Sequence, residues 1–421
     1  MKKFFVLFTC VTVLFSSCKS DDEYSPTGDT ESPSTPLNLV ATMVTETSVS
    51  LSWNPSTDNE GVIGYRLFTG STASADIITG TTISLSDLSE NTAYSFYVIA
   101  LDAAGNESTE SNTLSVTTSL TPIEFQTNLT DMGVFSGTLS DLTPGAGVQL
   151  YELHSTLFTD YSTKQRLIRM PEGTSMRYEN SDLLPSFPDN TLIAKTFYYN
   201  IDDRDPSLGK QVIETRIFLK RNGTWEAADY IWNTAQTEAI YTTNGSAVPI
   251  SYIDIDGETQ NVDYLVPSQQ ECFKCHDNNM ETFPIGMKLR SMNFSPSYTS
   301  MNQLDYFISN DLLAGLDNSS SVSVLPDWTD TANFDLFERS RAYIDINCAH
   351  CHNPGGAVSN FDLDFRYETE QTETGIYANR GEIEARTQST TPTYRMPQLG
   401  RTVVHSEAVA MLIDYLDTIE D

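Results

Sequence analysis

Short runs of alternating apolar and polar residues, separated by turn residues, dominate the beginning of the chain. Alternation with a period of two is typical of strands that bury one face, and several short strands at regular spacing predict a β-sandwich. The runs lie at residues 49–53, 64–67, 83–88, 94–100 and 114–116. The pattern therefore predicts an all-β first domain.

The strand pattern continues through residues 121–268, which are polar and strand-rich. Residues 213–219 and 225–232 flank Asn222-Gly223, a dipeptide that favours the two-residue turn of a β-hairpin. Asn244-Gly245 and Asp256-Gly257 mark further turns. We expect a second β-rich region here.

Helical periodicity appears only in the last third of the chain. Residues 303–313 form a helix-like stretch, and residues 334–347 predict a helix that runs into Cys348. Ser406 can cap a final helix, whose apolar stripe consists of Val409, Leu412, Ile413 and Leu416. The pattern predicts a C-terminal α-helical domain.

The N-terminus predicts export. Lys2 and Lys3 precede an apolar stretch, residues 4–15, that is too short to span a bilayer, so residues 1–17 are interpreted as a signal peptide. Ser16-Ser17-Cys18 resembles a lipobox, which implies a lipid anchor on Cys18; the alternative is ordinary secretion with Cys18 free. Residues 18–35 form an acidic tether rich in Ser, Thr and Pro, and its start resembles a surface-export tether. The expected location is the outer membrane, at the cell surface or otherwise facing the periplasm.

Charge narrows the choice of partners. The chain has 24 Lys and Arg residues against 57 Asp and Glu residues, a net charge of −33. Nucleic acid is therefore excluded as an expected partner, whereas basic proteins, or solubility alone, suit such a surface.

The cysteines carry the strongest chemical signal. Six are present, and apart from Cys10 and Cys18 all lie in two C-x-x-C-H motifs, residues 272–276 and 348–352. Two thiols one helical turn apart can attach a haem through thioether bonds, and the following histidine can bind its iron. The alternatives are a zinc site formed by pairing the two C-x-x-C units and a thioredoxin-like redox pair.

Residues 328–421 resemble a small class I cytochrome c, and roughly the last 300 residues resemble bacterial di-haem c-type cytochromes. The resemblance implies two covalently bound haems, with His276 and His352 as proximal ligands and Met396 as the sixth ligand of the second haem. For the first haem, Met287 and Met292 are candidate sixth ligands, and His154 is a further one. His350 and His405 are expected to be exposed. The attaching thiols would be those of Cys272, Cys275, Cys348 and Cys351.

Residues 36–119 resemble a fibronectin type III domain. Trp53 would be its core tryptophan, and Leu88 and Tyr94 its corner residues. The resemblance implies a spacer, with a carbohydrate-binding or protein-binding module as the alternative.

These predictions define a multidomain protein: a fibronectin type III sandwich, a β-rich region with a first haem unit at 121–327, and an α-helical cytochrome-like domain at 328–421. The expected function is electron transfer between redox proteins of the envelope, whose donor and acceptor the sequence does not name. Two alternatives stay open, a di-haem peroxidase-like enzyme with an open first haem and a surface-binding protein that serves a dehydrogenase.

Overall fold

A computed structural model describes residues 28–420 of the chain. The predicted signal peptide, Cys18 and the first part of the tether lie outside the described residues. Two compact units divide between Thr121 and Pro122, and each is described by itself.

Unit 1 is a two-sheet β-sandwich. A three-stranded sheet has the order β1-β2-β5, and a four-stranded sheet has the order β4-β3-β6-β7. Its strands are β1 Val40–Val44, β2 Val49–Ser52, β3 Val62–Thr69, β4 Thr72–Ala73, β5 Thr82–Leu85, β6 Ala93–Asp102 and β7 Leu114–Thr117.

The core of unit 1 confirms the fibronectin-like prediction. Trp53 is buried and its ring meets that of Tyr65 edge-on, with centroids 5.4 Å apart. The Tyr94 hydroxyl accepts a hydrogen bond from the Ser89 backbone N–H at 2.9 Å, as the corner tyrosine of such sandwiches does. Leu88 packs against the same core.

Unit 2 is built on a six-stranded antiparallel sheet with the order β14-β13-β12-β11-β9-β8. A second hairpin pairs β15 with β16, β17 pairs with β18, and β10 runs parallel to β19. The strands are β8 Val148–Leu150, β9 Thr163–Arg169, β10 Met176–Arg177, β11 Leu192–Asn200, β12 Lys210–Arg221, β13 Thr224–Trp232, β14 Ala239–Thr242, β15 Ser246–Ile253, β16 Thr259–Val266, β17 Asp277–Asn278, β18 Glu281–Thr282 and β19 Leu313–Ala314.

Helices follow the main sheet in sequence. They are α1 Gln269–His276, α2 Leu289–Met292, α3 Gln303–Ser309, α4 Leu336–Asn347, α5 Ile376–Thr387 and α6 Ser406–Thr418. No helix within residues 28–420 is long and apolar enough to cross a membrane.

Helix α4 contributes to the core that covers one face of the sheet. Ile346 of α4 lies in one apolar cluster with Ile168 of β9 and Phe218 of β12. Asp345, also on α4, is buried and pairs with Lys288 at 2.9 Å and Arg290 at 3.0 Å. The multidomain, mostly β architecture with its sandwich is confirmed. The expected independent α-helical cytochrome domain is not, because residues 328–420 and the β region pack into one unit.

Candidate functional site

The first C-x-x-C-H segment lies on α1. Ser268 caps this helix: its backbone N–H and hydroxyl donate to the Glu271 carboxylate at 2.9 and 2.8 Å, a capping box. Cys272 and Cys275 then fall one turn apart on a helix whose start is fixed.

The second C-x-x-C-H segment follows α4. Asp335 caps α4 by accepting from the Glu338 backbone N–H at 2.8 Å, and Cys348 is its C-cap residue. The chain then turns tightly, because the backbone N–H groups of Cys351 and His352 both donate to the Cys348 carbonyl. Burial raises the pKa of the Cys348 thiol to about 12, so Cys348 stays a neutral, packed thiol.

The two segments lie directly against each other. The Sγ atoms of Cys275 and Cys351 are 3.8 Å apart, and Cys351 Sγ lies 3.7 Å from the Lys274 carbonyl oxygen. The Asn279 backbone N–H donates to the Gly355 carbonyl at 2.8 Å. Two motifs that are 76 residues apart in sequence therefore form one site.

A thiol–imidazole cluster results from this contact. Ligand atoms of Cys275, His350 and Cys351 all lie within 4.8 Å of one another. The hydrogen bond from the Cys351 thiol, with His350 nearby, lowers the pKa of the Cys275 thiol. The expectation that His350 is a surface residue was wrong: its ring is half-buried and faces the other motif.

Cys272 lies in a different environment from Cys275. Its Sγ lies 3.7 Å from a carboxylate oxygen of Asp229, and burial followed by the Asp229 charge raises the pKa of the thiol to about 12. Asp229 and Glu214 both contact Arg216, at 3.5 and 2.6 Å, and Tyr264 donates to Glu214 at 2.6 Å. Burial and the nearby Glu214 charge raise the pKa of Asp229 to about 7.

The two motif histidines are both held neutral. His276 Nδ1–H donates to the Phe283 carbonyl at 2.9 Å, which leaves the lone pair on Nε2, and its ring packs against Phe218. Burial lowers the pKa of His276 to about 3 and that of His352 to about 4. His352 Nδ1 has no hydrogen-bond partner within residues 28–420, and its ring packs against Phe365.

The three methionines singled out from the sequence lie in different places. Met287 and Met292 are both fully buried in the apolar cluster that covers one face of the main sheet. Met396 is half-buried on the loop before α6, where its carbonyl accepts two hydrogen bonds from Arg401. His154 donates through Nδ1 to the Leu325 carbonyl at 2.8 Å.

His405 sits in an aromatic cage rather than in solvent. Its ring stacks on Phe158 with centroids 4.0 Å apart, and Tyr161, Trp328 and Tyr343 surround it. The side chain is 12% exposed. The expectation that His405 is exposed was wrong, because residues distant in sequence close over the start of α6.

Comparison with known proteins identifies the first unit. Residues 34–117 match the fibronectin type III domain model. Chitinase A1 of Niallia circulans is 52% identical over 93 residues, which cover 22% of this chain and 13% of that protein. Chitinase Chi52 of Paenibacillus xylanexedens is 50% identical over 95 residues, covering 23% and 18%. Exoglucanase B of Cellulomonas fimi is 32% identical over 188 residues, covering 44% and 16%.

The chain thus spans 13% to 18% of the length of these three relatives. The aligned stretches of 93 and 95 residues are close to the size of one fibronectin type III domain. Similarity at this extent defines the class of the first unit.

These relatives contradict the functional prediction. The sequence led us to expect an electron carrier of the cytochrome c class with two covalent haems, whereas the relatives are named as chitinases and an exoglucanase. We therefore withdraw the assignment to electron transfer and the two haems as cofactors. In the structure, Cys275 contacts a thiol of the other motif and Cys272 a carboxylate.

Proposed function

We propose that this protein is exported and takes part in the breakdown of an extracellular polysaccharide. The observation that carries the proposal is the identity of about half between its fibronectin type III unit and segments of two chitinases. That level of identity supports a shared working environment, outside the cell and beside an insoluble glycan. Cys18 would hold the protein to the outer membrane through its acyl chains, facing outwards.

Unit 1 offers one surface suited to a sugar ring. Phe68 of β3 and Tyr97 of β6 lie opposite each other in register, with ring centroids 4.5 Å apart and planes 7° apart. Their chain neighbours Leu67, Phe96 and Val98 are buried, so the pair projects from the other face of the sheet. Because an aromatic ring has an apolar body and a pyranose ring has an apolar CH face, the two can stack.

Unit 2 would assist breakdown rather than hydrolyse the glycan itself. Glycosidases use two carboxyl groups that flank the scissile bond. Glu214 and Asp229 both carry a carboxyl group. However, both form ion pairs with Arg216, and they are only 0% and 5% exposed. We therefore assign this pair a structural role and the chain an accessory role beside hydrolases.

Sedimentation with insoluble chitin and cellulose tests the proposal. We expect the full mature chain to sediment with at least one of the two glycans, and to increase oligosaccharide release when it is added to the corresponding hydrolase. Tyr97→Ala should lower the sedimented fraction several-fold. Tyr241→Ala is the matched control, since Tyr241 is a half-buried tyrosine of unit 2 that stacks on Phe125. A chain that stays in the supernatant with both glycans and leaves hydrolysis unchanged would overturn the proposal.

A further inference from the structure

A feature of unit 2 that the polysaccharide role does not use is the contact between the two C-x-x-C-H segments. We propose that Cys275, Cys351 and His350 bind one zinc ion, with a fourth coordination position open to water or another ligand. This inference does not rest on the proposed function, because both segments lie outside residues 34–117, which match the fibronectin type III model.

The donor atoms suit zinc in type and in spacing. Thiolate sulfur and imidazole nitrogen are the usual zinc ligands, and a Zn–S bond of about 2.3 Å at a tetrahedral angle places two sulfurs about 3.8 Å apart. The Sγ atoms of Cys275 and Cys351 are 3.8 Å apart. A ligand nitrogen of His350 lies within 4.8 Å of both.

An unpartnered polar atom lies in the same place. Nδ1 of His350 is buried and forms no hydrogen bond within residues 28–420. A buried polar atom without a hydrogen-bond partner is unfavourable. Coordination of a cation by the His350 ring would compensate for part of that cost.

The backbone brings the donors together. Gly355 accepts from the Asn279 N–H, and a Cβ atom at Gly355 would lie only 1.9 Å from Asn278 Oδ1 and 2.6 Å from Asn279 Nδ2. Both of these atoms are the ends of exposed side chains that can turn aside, so the backbone hydrogen bond is the contact that joins the two segments. The approach depends on backbone contacts as well as on the thiols.

The other two motif cysteines are not ligands in this proposal. Cys272 Sγ is directed at Asp229, and Cys348 packs against the apolar cluster of α4 and α6. Three protein ligands with a free fourth position are the pattern of catalytic zinc sites, whereas structural sites have four protein ligands. The site would therefore act as a Lewis acid toward an oxygen-containing ligand.

Metal content and native mass spectrometry of the full chain test the assignment, with zinc added during expression. We expect one zinc per chain, loss of that zinc in Cys275→Ser and Cys351→Ser, and affinity lowered at least tenfold in His350→Ala. Cys348→Ser is the matched control and should retain the metal. Circular dichroism on each variant establishes that it is folded.

A second measurement does not depend on variants. After chelation, Co²⁺ added to the unmodified chain should give the intense near-ultraviolet band of thiolate-to-cobalt charge transfer, with one equivalent at saturation. A Cys275–Cys351 disulfide, no bound metal in the folded chain, or equal zinc loss in Cys348→Ser would each overturn the proposal. Each of these results would leave the glycan sedimentation assay unaffected.

Discussion

At the scale of single residues, Gly356 tests whether the turn that carries Cys351 needs its tight backbone. Gly356→Ala introduces a Cβ atom 2.3 Å from the Cys351 carbonyl oxygen, a backbone atom, so this turn must shift and displace Cys351. We expect unfolding free energy to fall by roughly 1–3 kcal/mol, as overpacking does, and zinc affinity to fall about tenfold. Urea unfolding and a zinc competition titration measure the two effects.

Gly381→Ala is the matched control for that substitution. Gly381 lies inside α5, and no heavy atom would come within 4 Å of its added Cβ. Because alanine favours a helix over glycine by up to about 1 kcal/mol, this variant should be slightly more stable and bind zinc normally. Equal zinc affinities in the two variants would contradict the role of Gly356.

His405 gives stability a pH dependence that its aromatic cage explains. Burial lowers the pKa of His405 to about 4, although Glu407 opposes the shift and Lys164 and Arg401 support it. A histidine in the unfolded chain has a pKa near 6.5, so it binds a proton more tightly than folded His405 does. The contribution of His405 to stability is therefore complete above about pH 6.5 and is lost as the pH falls toward 4. His405 alone should lower the free energy of unfolding by about 2 kcal/mol between pH 7 and pH 4.5.

His405→Phe removes that contribution while it retains a ring for Phe158 to stack on. We expect the variant to lose about 2 kcal/mol less than the parent between pH 7 and pH 4.5, as measured by urea unfolding at both values. Identical losses in parent and variant would show that His405 does not titrate on unfolding.

At the scale of secondary-structure elements, strong local signals were sufficient for prediction. The turn at Asn222-Gly223 joins β12 to β13 as expected, because both residues adopt positive φ there, 49° and 79°. The helix predicted at 334–347 is α4, which begins two residues later, after its Asp335 cap.

Elements fixed by distant contacts were predicted less well. The helix expected over 303–313 ends at Ser309, since Asp311 has a φ of 57° and Leu313 instead pairs with Met176 of β10. Nothing local to residues 303–313 encodes a partner strand more than 120 residues earlier in the chain.

The prediction at this scale concerns the buried ion pairs of Asp345 on α4. Asp345 is 1% exposed in its side chain and pairs with Lys288 and Arg290. Burial alone would raise the pKa of Asp345. The charges of Lys288 and Arg290 outweigh burial and lower this pKa below its ordinary value. Asp345→Asn leaves both cations without their buried partner, so unfolding free energy should fall by roughly 3 kcal/mol.

Glu382→Gln is the control for a helical ion pair in solvent. Glu382 pairs with Arg386 one turn along α5, at 2.9 Å, and the two side chains are 63% and 33% exposed. Such pairs contribute about 0.3–0.5 kcal/mol. If both substitutions change unfolding free energy by the same small amount, the Asp345 pair does not hold α4 to the rest of unit 2.

At the scale of the whole molecule, the anchor can be tested independently of either unit. If Cys18 is acylated, Cys18→Ala should move the protein from the membrane fraction to the soluble exported fraction, because burial of acyl chains supplies about 0.8 kcal/mol per CH₂. Fractionation followed by immunodetection measures this. Retention of the variant in the membrane fraction would show that the attachment lies elsewhere.

The sequence predicted the sandwich of unit 1 but not the site of unit 2. Trp53 and Tyr94 carry a local signature that belongs to one fold. The contact between Cys275 and Cys351 depends on how α1 and the turn after α4 come together, and either motif read alone assigns its two thiols to the same ligand. His350 was therefore missed, because its role exists only once the other segment lies opposite.

Our central proposal is that the two C-x-x-C-H segments form one noncovalent metal site in a protein that takes part in polysaccharide breakdown. Intact mass spectrometry of the exported chain, produced in cells that contain a cytochrome c maturation system, tests this claim most directly. Under denaturing conditions we predict a mass that shows no covalent modification of any residue after Cys18. Under native conditions we predict one additional zinc ion. Two covalent additions of haem mass, mapped to residues 272–275 and 348–351, would contradict the account.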